Sequence, residues 1–261
     1  MNSIKRFSDR VENYIKYRPG YPEPVISYLQ ENININNKML VADIGSGTGI
    51  SSELFLKKGF SVIGVEPNKE MREAGERFLA RFDDFKSVNG TAENTGLDHN
   101  YIDLIIAGQA FHWFDHKKCK TEFKRILNPD GLICLMWNER VVDSNDFLKE
   151  YEDLIKKYGT DYEKIKHTRL NSEEDDDIRE FFSPGKAEVF STVNNQEFDF
   201  EGLKGRLLSS SYIPQEDNAE CKEMIEELKN IFEKHKKDGR VVIKYVTIVY
   251  TGRWGAKLQS T

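Results

Sequence analysis

The chain has 261 residues, of which 38% are hydrophobic, and a formal net charge of −6. These values favour a folded domain over a disordered chain, and the acidic balance argues against a nucleic-acid partner. No run approaches 18 consecutive apolar residues and the N-terminus lacks an apolar signal core, so we expect a cytoplasmic protein without membrane association. Cys119, Cys134 and Cys221 have no metal-ligand spacing, which predicts reduced thiols and no metal site.

The first predicted unit, residues 1–34, is a tyrosine-rich segment containing YIKYRPGYP. Its tyrosines surround Arg18, and we expect the segment to fold over a ligand as a lid. A surface segment that packs its tyrosines on the domain edge is the alternative. Tyr17 and Arg18 are our candidates here for a role in catalysis.

Residues 35–138 alternate short apolar runs with helix-like stretches, as stacked βαβ units do. The runs MLVADI, FSVIGVE, FKSVN, YIDLIIAG and LICLMWN are predicted strands. They lack a clean period of two, which indicates strands covered by helices on both faces. Asn68 and Asp115 are predicted helix N-caps. The pattern predicts an α/β fold with a mostly parallel sheet.

We interpret the next two charged or amphipathic segments as insertions that cap the core. Residues 139–185 are charged and carry the acidic run EEDDD at 173–177, which we interpret as a solvated face. Residues 201–238 include apolar side chains at three- and four-residue spacing, which predicts a long amphipathic helix over 216–237. We expect these two insertions to contribute the substrate side of a single domain, 1–261.

Two C-terminal stretches are predicted strands that complete the sheet. Residues 186–200 are predicted to form a strand pair with Phe198 and Phe200 on one face. Residues 239–252 contain VVIKYVTIVY, whose β-branched and aromatic residues favour a strand. The oligomeric state stays open between monomer and homodimer.

A glycine-rich loop, VADIGSGTGI, joins the first predicted strand to the first core helix. Gly45, Gly47 and Gly49 allow the backbone to approach a ligand, and a helix N-terminus can receive an anion. The spacing is G-x-G-x-G, and Ile50 stands where the dinucleotide fingerprint requires its third glycine. This departure disfavours, without excluding, an NAD-dependent dehydrogenase.

Two acidic residues accompany the loop. Asp43 precedes the first glycine by two positions, close to where a positively charged amino group would be held. Glu66 ends the second predicted strand, where a carboxylate can accept hydrogen bonds from both hydroxyls of a ribose. The glycine loop and the two acids together therefore predict a ligand that has a ribose, a cation and a carboxylate.

These residues resemble the class I methyltransferases that use S-adenosylmethionine, with VADIGSGTG and VIGVEPN as their first two motifs. The segments YRPGYP, GQAFHWFD, MWNER and LLSSSYIP are similar to a subgroup that includes trans-aconitate methyltransferase-like enzymes. The resemblance implies S-adenosylmethionine as cofactor. It also implies a Rossmann-like doubly wound sheet of about seven strands, mostly parallel with an antiparallel last strand, plus helical cap insertions.

The resemblance also implies positions for the cofactor. Residues at the loop line its methionine portion, Asp43 lies near its amino group and Glu66 binds its ribose. The NGTAEN segment places Ala92 and Glu93 beside the adenine, although Thr91 stands where many relatives carry Asp. The predicted loop and flanking contacts are Gly45, Ser46, Gly47, Thr48, Gly49, Pro67, Met71, Gln109, Ala110 and Phe111.

The segment GQAFHWFD leaves the carboxyl end of the fourth predicted strand, where ligands of open α/β sheets collect. Aromatic faces attract cations such as a sulfonium. We therefore assign His112 and Trp113 as catalytic candidates. The alternative for His112 is a core histidine whose ring nitrogens are hydrogen-bonded within the protein. The alternative for Phe111 and Phe114 is a hydrophobic anchor for the next helix.

The predicted acceptor is a small molecule, because the strand-four segment lacks the Asn/Asp-Pro-Pro-aromatic stretch of nucleobase amino methylation. A carboxylate acceptor is ionised near pH 7 and needs no general base, and Arg18 or Arg140 would orient it. A hydroxyl acceptor would need a general base, and His112 is the first candidate for that role. A non-catalytic cofactor-binding module is a third possibility beside methyltransferase and dehydrogenase.

Overall fold

The computed structural model describes residues 11–160, 176–210, 212–214 and 218–254. Several predicted features therefore lie wholly or partly outside the described residues. These are the first ten residues of the predicted lid, most of the acidic run at 173–177, and the first two residues of the helix predicted over 216–237.

The described residues form seven strands and nine α-helices. The strands are Leu40–Ile44 (β1), Ser61–Val65 (β2), Phe85–Val88 (β3), Ile102–Gly108 (β4), Leu127–Arg140 (β5), Ala187–Phe198 (β6) and Val241–Gly252 (β7). The helices are Val11–Tyr17 (α1), Glu23–Glu31 (α2), Ile50–Leu56 (α3), Lys69–Leu79 (α4), His116–Ile126 (α5), Asp146–Tyr158 (α6), Asp176–Phe182 (α7), Phe200–Leu208 (α8) and Ala219–His235 (α9). A short 3-10 helix covers Phe111–Trp113.

The strands form one sheet in the order β3-β2-β1-β4-β5-β7-β6. The first five of these run parallel, and β7 is antiparallel to both β5 and β6. The predicted Rossmann-like fold with an antiparallel last strand is confirmed. The strand order reverses between β1 and β4, so a crevice opens beyond their carboxyl ends.

The buried side chains of the described residues form three groups. One lies on the sheet face covered by α5 and α7, and another on the face covered by α2, α3 and α4. The third is formed by α6, α8 and α9 around the start of β7, and we call these three helices the cap. Because β7 contributes Ile243 to the cap core and Val249 to the sheet core, one strand joins the two parts.

Local signals located two helix starts correctly. The predicted N-caps Asn68 and Asp115 accept hydrogen bonds from the backbone amides of Met71 and Lys118. The helix predicted over 216–237 runs over Ala219–His235. Among the described residues, no helix has both the length and the apolar character needed to cross a membrane.

The strand pair predicted over 186–200 is wrong. Ala187–Phe198 is one continuous strand that pairs with β7 along its whole length. Phe198 ends that strand, whereas Phe200 begins α8. The change occurs at Asp199, whose side chain accepts the backbone N–H of Gly202 and so starts the helix.

Gly49 shows how tightly the loop after β1 is constrained. Its φ is +84°, and a Cβ placed there would lie 2.5 Å from Cδ1 of the buried Leu79 in α4. A left-handed conformation costs a non-glycine residue about 1–2 kcal/mol, and overpacking a core typically costs about 1–3 kcal/mol. Gly49 therefore carries both constraints at once.

We expect Gly49→Ala to lower the free energy of unfolding by about 2–5 kcal/mol, measured by urea denaturation. Gly239→Ala isolates the backbone term, since Gly239 has φ +74° but a Cβ added there would have no atom within 4 Å. Gly20→Ala has neither constraint and is the matched control. Equal losses at Gly49 and Gly239 would show that the Leu79 contact does not matter.

Candidate functional site

A cavity lies beyond the carboxyl ends of β1, β4 and β5, at the reversal of strand order. The glycine loop and the segment after β4 form its core side, and the N-terminal segment and α8 form the opposite side. Its lining residues are Tyr14, Arg18, Pro19, Tyr21, Gly45, Ser46, Gly47, Thr48, Ile50, Ser51, Gly108, Gln109, Asn138 and Arg206. Of the predicted site residues, it brings together Arg18, Gln109 and the loop residues 45–48.

The glycine loop turns sharply against the strands behind it. The backbone amides of Gly45 and Ser46 both donate to the carbonyl oxygen of Val65. Gly45 has φ +68°, and a Cβ there would lie 2.7 Å from Ala110 Cβ. A side chain at this position would therefore displace the segment after β4, which explains the need for glycine.

Asp43 lies directly behind the loop and is fully buried. Its Oδ2 accepts hydrogen bonds of 2.6 Å from the hydroxyls of Ser51 and Ser52 at the start of α3. Its Oδ1 is buried and has no hydrogen-bond partner among the described residues. Burial raises the pKa of the Asp43 carboxyl to about 6, against the lowering effect of the serine hydrogen bonds.

Glu66 lies at the end of β2 and is 8% exposed. Its Oε2 accepts the N–H of Gly47 at 2.9 Å, and its Oε1 accepts the N–H of Asn68 at 2.8 Å. Burial raises the pKa of Glu66, and these two backbone hydrogen bonds oppose that change. Each carboxylate oxygen can accept a second hydrogen bond, so binding of ribose hydroxyls stays a prediction consistent with this geometry.

Neither the two acids nor the remaining predicted cofactor contacts line the cavity. Met71 Cε would lie 3.4 Å from a Cβ at Gly47, and Ala110 packs behind Gly45. Ala92 is buried, and Glu93 accepts the backbone N–H of Asp115. Gly49 and Pro67 also lie outside the cavity lining.

The aromatic segment after β4 packs against the hydrophobic core through Phe111. The ring of Phe111 is fully buried, stacks on His116 and makes edge contacts with Phe181 and Trp137. Phe111 therefore packs in the core and does not line the cavity. His112 is exposed and Trp113 is 38% exposed, and neither lines the cavity.

The N-terminal segment supplies one wall of the cavity. Side-chain amides of Asn138 and Asn194 donate to the carbonyl oxygen of Gly20, and Gln196 donates to that of Tyr17. Helix α1 contacts both α8 of the cap and α4 of the core. Tyr17 lies outside the cavity, its ring against Gly205, whereas Tyr14 and Tyr21 line it.

Two arginines line the cavity, and sequence reasoning missed one of them. Arg18 donates from Nη2 to the carbonyl oxygen of Ser209, and its Nε is buried without a hydrogen-bond partner among the described residues. Arg206 is 5% exposed and donates from Nε to the hydroxyl of Tyr245. Burial and then the like charge of Arg206 lower the pKa of Arg18.

The signal for Arg206 was present but weak. It lies on the buried side of α8, three residues after the buried Leu203. Arg140, the other predicted orienting residue, instead forms an ion pair with Glu152 of α6 and lies over the ring of Tyr151. It does not line the cavity.

Comparison with known proteins bears on this site. Residues 42–135 match the model of a methyltransferase domain. The predicted resemblance to class I methyltransferases is confirmed. An uncharacterized methyltransferase of Mycobacterium tuberculosis strain H37Rv is 33% identical over 134 residues, 51% of this chain and 52% of that protein. The chain thus spans about half the length of the curated relatives it matches.

Solved structures support the fold of the methyltransferase domain. A protein of Anaeromyxobacter dehalogenans named as a type II methyltransferase matches with a TM-score of 0.66 at 18% identity, over 91% of this chain and 98% of that one. Phosphoethanolamine N-methyltransferase 2 of Haemonchus contortus, solved with S-adenosylhomocysteine, matches with a TM-score of 0.54 at 13% identity. The match covers 97% of this chain and 60% of that one. At these identities the likeness extends to the fold alone.

The raised pKa of Asp43 predicts a pH-dependent stability. The unfolded carboxyl ionises near 3.8 and the folded one near 6, so stability falls as pH rises between these values. At about 1.4 kcal/mol for each pKa unit, the full loss is about 3 kcal/mol, most of it between about pH 4 and pH 7. We expect Asp43→Asn to remove this component from urea-denaturation curves, and the exposed control Asp83→Asn to retain it. A pH profile that Asp43→Asn leaves unchanged would contradict the buried-acid interpretation.

Proposed function

We propose that the protein is a methyltransferase that uses S-adenosylmethionine and methylates a small-molecule acceptor on a carboxylate oxygen. The observation that carries the proposal is the placement of two buried acids, Asp43 and Glu66, directly behind the glycine loop of a methyltransferase domain. The unpartnered Oδ1 of Asp43 fits a ligand that brings a positive charge to this loop.

In this proposal, different residues bind different parts of the cofactor. Residues 45–48 hold the methionine portion, with Asp43 as a negative charge behind its amino group. Glu66 accepts hydrogen bonds from the ribose, and Ala92 with Glu93 lies beside the adenine. When bound, S-adenosylmethionine supplies an electrophilic methyl group on a sulfonium cation. The rings of Tyr14 and Tyr21 line the cavity, where they favour a cation and exclude water.

The lining of the cavity favours an acceptor that needs no general base. Within the described part of the chain, no histidine, aspartate or glutamate lines it, whereas Arg18 and Arg206 do. A carboxylate is already ionised near neutral pH, and an arginine can orient it while a second lone pair of one oxygen stays free to attack. The exposed position of His112 outside the lining gives the hydroxyl alternative less support.

Cofactor choice is testable by calorimetry with S-adenosylhomocysteine and NAD. We expect the first to bind and the second not to, because Ile50 occupies the position of the fingerprint glycine and lines the cavity. Glu66→Gln should weaken S-adenosylhomocysteine by about 10- to 100-fold, since a hydrogen bond to a charged group contributes about 1.5–3 kcal/mol. Glu76→Gln, an exposed change on α4, is the control. Tighter binding of NAD would favour the dehydrogenase alternative.

Acceptor chemistry is testable by a screen of small carboxylic acids and phenols with radiolabelled S-adenosylmethionine. We expect an acid to gain the label as an ester, and His112→Asn to keep kcat within about twofold, because a carboxylate needs no base. A loss of about 100-fold in His112→Asn with a phenol as acceptor would establish the base mechanism instead. Cofactor binding without turnover on any compound would favour the non-catalytic module.

A further inference from the structure

The side of the cavity formed by the N-terminal segment and α8, which we call the cap side, carries two positive charges that no described acid neutralises. Arg18 follows α1 and Arg206 lies on α8, and both line the cavity. Neither forms an ion pair within the part of the chain that the structure describes. Their described hydrogen bonds go to neutral acceptors, the carbonyl of Ser209 and the hydroxyls of Tyr245, Ser209 and Ser210.

The largely buried Arg140 and the partly buried Arg125, by contrast, each have a carboxylate partner. Arg140 pairs with Glu152, and Arg125 pairs with Glu122 at 2.7 Å. Burying an unpaired charge is unfavourable, so such charges in proteins are normally matched by an opposite one. The contrast indicates that the partner of Arg18 and Arg206 is an anion that enters the cavity.

We infer that Arg206, together with Arg18, binds a carboxylate group of the acceptor and determines its specificity for acids. The inference rests on the proposed function. A guanidinium offers a planar pair of N–H donors that matches both oxygens of a carboxylate. Two guanidiniums on one wall can hold the anion while the rings of Tyr14 and Tyr21 border the same space.

The carboxylate that these arginines bind could belong to the acceptor or to the cofactor's methionine portion. The glycine loop and its acids lie on the core side, whereas Arg206 belongs to the cap. This separation favours the acceptor as the partner of Arg206. The two sources differ in one testable respect, because 5′-deoxy-5′-methylthioadenosine lacks the amino-carboxylate that S-adenosylhomocysteine carries.

The experiment compares wild type with Arg206→Gln, Arg206→Lys and the control Arg125→Gln, which removes one charge from α5. Each protein, saturated with S-adenosylhomocysteine, is titrated with succinate, glutarate and benzoate and with succinamide and benzamide, followed by saturation-transfer NMR. We expect wild type and Arg125→Gln to prefer an acid over its amide. Arg206→Gln should lose at least 10-fold in affinity for that acid, and Arg206→Lys should lose less. The amides should bind equally to all four proteins.

Calorimetry with the two nucleosides identifies the source of the carboxylate. Unchanged affinity for S-adenosylhomocysteine in Arg206→Gln supports the acceptor site. A 10-fold loss for S-adenosylhomocysteine with unchanged affinity for methylthioadenosine would overturn it and assign Arg206 to the cofactor. Wild type that binds none of the acids, or an Arg206→Gln variant that keeps the preference for acids, would also overturn it.

These outcomes separate the inference from the function on which it rests. Failure of wild type to bind S-adenosylhomocysteine would remove the proposed function. Binding of S-adenosylhomocysteine together with an unaltered acid preference in Arg206→Gln would remove only the carboxylate site. If Arg206→Gln does not fold, judged by its thermal transition, Arg18→Gln provides the same comparison. We expect it to show the same loss of affinity for the acid.

Discussion

The site depends on the bond between the end of β1 and the start of α3. Asp43 accepts hydrogen bonds from Ser51 and Ser52 across the glycine loop, so its carboxylate fixes where the helix begins. Glu66 fixes the same loop from the side of β2 by accepting the N–H of Gly47. Because these acids are buried, their pKa values rise and their charge is costly without a cation nearby. The loop is thus held by groups that a cationic ligand would stabilise further.

Charge is distributed asymmetrically around the cavity. The acids lie behind the core side, and the guanidiniums of Arg18 and Arg206, which have no ion-pair partner among the described residues, lie on the cap side. This arrangement suits the methyl transfer proposed above, in which a cationic donor meets an anionic acceptor, because each reactant would lie against charge of the opposite sign. In that proposed reaction the transfer of the methyl group would remove both reactant charges, so preorganised orientation would contribute more than stabilisation of a new anion.

Local features of this fold could be predicted from sequence, because neighbouring residues determine them. The apolar runs located strands, and Asn68 and Asp115 marked helix starts, each through a bond to a backbone amide three residues later. Arg206 could not be placed in the same way. Its position beside Arg18 depends on packing of α1 against α8, which are nearly two hundred residues apart in sequence. Likewise, no local pattern revealed that Glu152 of α6 neutralises Arg140.

The same dependence on tertiary packing explains where the aromatic surface of the cavity comes from. The segment after β4 places Phe111 inward because the 3-10 helix directs its ring under α7, against Phe181. The cavity's rings come instead from the N-terminal segment, whose Tyr21 hydroxyl lies so close to Gly108 that a Cβ there would approach it to 2.6 Å. Asn138 and Asn194 hold that segment by its carbonyl oxygens. Because the same segment carries Arg18, any movement that opens the cavity would remove aromatic contact and positive charge together.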